Sequence, residues 1–163
     1  MVMSRKTMSR MLRGALVIGG VLCGLFVFAF LPFYVKEQIR CEMAEAGCFW
    51  PCVSFGVILS LPVFAALVPC WEFFGTLREQ GGAFTKRNAL LFAQISRLAL
   101  ADTILFPVGV IVLAAMGYGF AALTVVGIPL GIFCGGTVSL VCHVLSRMVG
   151  EAAALREEND MTI

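Results

Sequence analysis

Histidine is all but missing from this 163-residue chain: His143 is its only one. A single imidazole excludes a His-rich metal centre and the H-E-x-x-H pair of zinc peptidases. The chain also lacks a Walker loop, a C-x-x-C pair and a G-x-S-x-G elbow. Charge is scarce as well. Only 13% of residues are charged, against 60% hydrophobic residues and a mean hydropathy of +0.96, a balance that excludes an ordinary soluble domain. The formal charge of +2 forms no basic stripe with interleaved aromatics, so no direct nucleic-acid contact is expected. Together these absences describe a non-enzymatic protein with no cofactor, no metal and no catalytic residue.

What the chain has instead is apolar sequence in long runs. Four stretches, about 11–35, 51–74, 98–118 and 120–145, each reach the ~20 residues that carry a helix across the hydrocarbon core. The expected fold is all-α: a single four-helix transmembrane domain over residues 1–163, with a tail from 146 to 163. The basic start (Arg5, Lys6, Arg10, Arg13) resembles a signal peptide, but the apolar run continues through Val35 and no A-x-A-like site closes it. The first stretch is therefore read as an uncleaved span.

The placement of the few charges orients the bundle. Ten of the twelve Lys and Arg residues lie in the three polar segments that share one side of the bilayer; the other side holds only Lys36 and Arg40. Cytoplasmic segments carry the Lys/Arg excess, so both termini are expected in the cytoplasm. Outside, the one substantial loop is Lys36 to Trp50, and Gly117-Tyr118-Gly119 makes a tight hairpin between spans three and four. Cys41, Cys48 and Cys52 lie in or beside the outer loop, where an oxidising exterior permits one disulfide among three thiols. Their C-x6-C-x3-C spacing is a poor zinc pattern. Cys23, Cys70, Cys134 and Cys142 read as small apolar packing residues.

On the inner side, Phe84, Leu91, Ile95 and Leu98 recur at helical spacing opposite Lys86, Arg87, Asn88, Gln94 and Arg97. This predicts an amphipathic connector lying in the membrane interface and leading into span three, with Thr85 as its N-cap. Val141, Val144, Leu145, Met148, Ala152 and Leu155 extend a similar period out of span four, so the last helix should project into the cytoplasm and end near Asn159. Gly127, Gly131 and Gly135 in span four, and Gly20 and Gly24 in span one, permit close helix contact. That contact is either internal packing or a homo-oligomer through the glycine-rich faces. Pro62, Pro69, Pro107 and Pro129 fall within spans and predict kinks. Glu72, Arg97, Asp102, His143 and Arg147 all map near the cytoplasmic ends of spans and could form one polar cluster, with Asp102 the deepest. Span one holds no acidic residue, which argues against the small four-helix multidrug exporters.

Two inner segments carry a resemblance. Gly82-Ala83-Phe84-Thr85, followed by Asn88 and the apolar positions to Ile95, and the ending Leu155-Arg156-Glu157-Glu158-Asn159-Asp160-Met161-Thr162-Ile163, resemble the DUF2975 family of small four-span bacterial membrane proteins. Met161 stands where the family more often has Leu. The resemblance implies a bacterial inner-membrane protein that holds or modulates a small cytoplasmic helix-turn-helix regulator. On that expectation the partner contacts are Phe84, Leu91, Leu155, Glu157, Glu158, Asp160 and Ile163. The alternative is a small transporter or ion-conducting protein that uses Asp102 and His143.

Overall fold

The computed structural model describes the backbone of residues 5–42, 46–76, 84–118 and 123–160, and the side chains of 7–40, 47–76, 84–118 and 124–159. In chain order the elements are α1 (Arg5–Leu25), a π-helical turn (Phe26–Phe30), α2 (Leu31–Glu42), a 3-10 turn (Ala46–Cys48), α3 (Phe49–Thr76), α4 (Lys86–Ala115), a second π-helical turn (Leu123–Gly127) and α5 (Ile128–Asp160). No strand occurs among the described residues. Four rods, Thr7–Arg40, Phe49–Thr76, Lys86–Ala115 and Thr124–Asn159, are long and apolar enough to cross a membrane. The expected all-α, multi-pass architecture is therefore the observed one.

Burial runs opposite to that of a soluble bundle. Large side chains such as Phe28, Phe133, Leu130 and Ile104 lie outside, while Ser9, Ser60, Ser96, Ser139 and Ala153 are buried. Lipid is as apolar as leucine and gives no drive to hide it, so helices associate through small residues and hydrogen bonds. The contact between α4 and α5 is built this way. Along α4 the inward positions step by seven, through Ala89, Ser96, Thr103 and Val110, the repeat of antiparallel helices that wind around each other. Ser96 Oγ donates to the Ser139 carbonyl at 2.8 Å, and Ser139 Oγ donates back to the Ser96 carbonyl at 3.0 Å. A Cβ on Gly135 would run into the Thr103 hydroxyl, and one on Gly131 would come within 2.7 Å of the Phe106 ring. The Gly131 and Gly135 face is thus filled by α4 of the same chain. Gly20 likewise faces Leu67 of α3, whereas Gly24 is open.

Gly117 closes α4. Its φ of +83° is left-handed, Gly117 N–H returns to the Ala114 carbonyl and Tyr118 N–H to that of Leu113 at 2.8 Å, the paired bonds of a glycine-terminated helix. Tyr118 then packs on an apolar cluster of Val35, Cys52 and Leu113, with Leu31, Ile39, Phe49, Val53 and Phe55 around it, which ties the bundle together at the end away from the termini.

Two local features differ from expectation, and a third carried none. Lys36–Glu42 is not loop: it continues the first rod as α2, supported by Gln38 donating to Tyr34 Oη at 2.8 Å and by an Arg40–Glu37 pair at 3.6 Å. Residues 86–97 are not a separate helix but form the first turns of an unbroken α4. Thr85 does cap it, accepting from the Asn88 N–H. The π-turns carried no expectation, although each ends two residues before a proline, Pro32 or Pro129. A proline ring clashes with the carbonyl four residues back; here that residue is Phe28 or Val125, inside the widened turn.

Candidate functional site

The distinctive polar side chains gather at the end of the bundle shared by the described termini and the 76–86 connection. At 1.5 Å per residue α4 spans ~45 Å and α5 ~50 Å, against a hydrocarbon core of ~30 Å. Both helices are longer than that core is thick. The excess of α5 is its polar part, from Arg147 to Asp160.

Buried and part-buried hydrogen bonds join all four rods there. Ser9 of α1, 1% exposed, donates to the Phe74 carbonyl of α3 at 2.6 Å. Thr76 Oγ1 at the end of α3 donates to Asn88 Oδ1 of α4 at 2.8 Å, and Asn88 is wholly buried. Ser146 Oγ of α5 donates to the Ala89 carbonyl of α4 at 2.7 Å. Arg13 lies over the Trp71 ring, its guanidinium carbon 4.8 Å from the centroid; a Cβ on Gly75 would strike that guanidinium. Two exposed ion pairs add to the rim: Arg87 with Glu72 at 3.0 Å, and Lys86 with Glu157. Exposed pairs contribute at most ~1 kcal/mol each. The rigid part of this end is therefore its buried amide and hydroxyls, and the ion pairs are its exchangeable part.

The expected polar cluster does not assemble. Glu72 is taken by Arg87, Arg97, His143 and Arg147 are exposed, and none of these three is joined to Asp102 among the described residues. Asp102 Oδ1 is buried without a hydrogen-bond partner. The reason is rotational: on α5 the side facing α4 carries Ser139, Ser146 and Val149, which turns His143 and Arg147 outward. Of the expected partner contacts, Phe84 and Leu155 are exposed, at 55% and 67%, as are Glu157 and Glu158. Leu91 is 6% exposed, which removes it from any open docking surface. The Asp160 side chain and Ile163 lie outside the described residues. Cys48 and Cys52 are buried free thiols, and the Cys41 side chain lies outside the described set.

Asn88 was expected on the polar outer side of α4; it is instead the most buried residue of this end, because Thr76 supplies a partner there. Ser9, Trp71 and Thr76 carried no expectation, and Arg13 carried only that of the basic N-terminal segment. Their one sequence signal is position, since each falls within the last turns of a span at the basic side.

No curated protein and no solved structure matches the chain. The model of the family described as a protein of unknown function, DUF2975, matches residues 37–163, which takes in α3, α4, α5 and the polar end they build. This chain belongs to the DUF2975 family.

Proposed function

We propose that this chain is a non-enzymatic protein of a bacterial inner membrane, threaded with both termini in the cytoplasm, that holds or modulates a cytoplasmic helix-turn-helix transcriptional regulator through its C-terminal extension. One observation carries this: α5 continues as one unbroken helix into its polar segment and presents exposed Leu155 beside exposed Glu157 and Glu158, with exposed Phe84 at the head of α4. A soluble DNA-binding domain is basic, and an acidic helix with an apolar anchor complements it. Lys86 occupies Glu157 through an exposed ion pair, and such a pair gives way to a competing cation at little cost. The extension is thus ready to exchange an internal partner for an external one.

Deleting residues 156–163 is expected to abolish recovery of a co-expressed helix-turn-helix regulator in a detergent pull-down, while membrane insertion is unchanged. A regulator still recovered with the truncated chain would sink the tail model. Transport through Asp102 and His143 has less support: Asp102 has its buried, unpartnered oxygen, but His143 is exposed and does not meet it.

A further inference from the structure

Between α1 and α3 an apolar groove of about 520 Å³ opens sideways, lined by Leu16, Val17, Gly20, Leu67, Val68 and Trp71. Gly20 keeps it deep, since a Cβ there would approach Leu67 at 3.2 Å. A groove of this bulk and composition within a spanning region suits one lipid acyl chain. Its polar mouth is unusual. Arg13, one turn before Leu16, lies over the Trp71 ring in the space that the missing side chain of Gly75 leaves, and its Nε is buried with no hydrogen-bond partner among the described residues. Glu72 also lines the mouth, but its carboxylate is paired with Arg87, which leaves Arg13 without an acidic partner among the described residues. Arg10 stands exposed one turn further out, and no acidic residue occurs in the chain before Glu37.

We infer that this groove is a binding site for an anionic phospholipid, with one acyl chain along Gly20 and Leu67 and the headgroup phosphate on Arg13. Arginine matches phosphate through its N–H donors and its fixed charge. The site does not depend on which leaflet it faces, nor on the regulator reading, because it needs only the α1–α3 contact.

Trp71 reports on the site directly. The chain has two tryptophans, so W50F leaves Trp71 alone, and Trp50 is 74% exposed at the other end of α3. W50F protein is reconstituted into bilayers with either brominated phosphatidylglycerol or brominated phosphatidylcholine, and quenching of Trp71 is titrated. The expected result is about a fivefold preference for phosphatidylglycerol at low ionic strength, the size of one basic side chain's attraction to an anionic headgroup. R13Q in the same background should bring the preference to about one, and R13K should retain most of it. Equal quenching by both lipids would make the groove ordinary lipid annulus and overturn the site. Absence of quenching by either would mean protein covers the groove, a second copy of the chain for instance, and overturns it too. The comparison of lipids needs no change at Arg13, so it decides the matter even if R13Q does not fold.

Discussion

Gly135→Val is expected to lower stability by about 3 kcal/mol, while Gly136→Val, one residue along, should be nearly silent. The two glycines share a helix, a depth and a lack of propensity; only their surroundings differ. A Cβ at 135 collides with the Thr103 hydroxyl and lies 3.3 Å from its Cβ and 3.6 Å from its Cα, whereas one at 136 meets nothing within 4 Å. The Thr103 hydroxyl is itself fixed by donating to the Ala99 carbonyl at 2.6 Å, and the backbone behind it cannot yield without shifting α4. Separation of the helices would then strain the reciprocal Ser96–Ser139 bonds one heptad away. Thermal unfolding in detergent, followed by loss of helical circular dichroism, should show the Gly135 variant melting roughly 6–12 °C lower. Equal effects at 135 and 136 would mean that the helices do not meet on this face.

Asn88→Ala should cost about 2 kcal/mol, from a lost hydrogen bond plus the space left by a wholly buried side chain. It removes the acceptor of the Thr76 hydroxyl, the buried bond that joins α3 to α4 at the polar end. Thr76 keeps a fallback in the Phe73 carbonyl, 2.8 Å away, so its hydroxyl is not left bare and the penalty stays moderate. A double-mutant cycle with Thr76→Val isolates the pair; a coupling of about 1 kcal/mol is expected. If the two substitutions were additive, the bond would carry no stability and the polar end would owe its rigidity to other contacts. Removing the Lys86 side chain should have far less effect on unfolding, since both partners of its ion pair are exposed.

Much of this molecule is legible in its sequence because lipid imposes so few solutions. Runs of apolar residues the length of a bilayer must be helices, and glycines four residues apart permit a close contact that Gly131 and Gly135 make, although Gly24 meets nothing. Thr85 could be assigned as a cap from the helix that follows it, and Gly117 as the end of that same helix from its hairpin position. What escaped was rotation and continuity. Lys36–Glu42 is polar and reads as loop, yet the helix continues because nothing at Lys36 stops it and local pairs sustain it. Asn88 follows Lys86 and Arg87 and reads as solvent-facing. Its burial depends on Thr76, twelve residues back, which no local period reveals. The expected union of Asp102 with Arg97, His143 and Arg147 failed for the same cause, because membrane depth can be read from sequence while helix azimuth is set by the small residues that meet across the seam.

The proposed function rests on the polar end facing the cytoplasm, where a regulator could reach it. Reporter fusions test this most directly. Green fluorescent protein fused after Ile163 should fluoresce and alkaline phosphatase there should be inactive, whereas phosphatase fused after Glu42, at the opposite end of the first rod, should be active. Active phosphatase after Ile163 would place the extension outside the cell, beyond any cytoplasmic partner, and contradict the account.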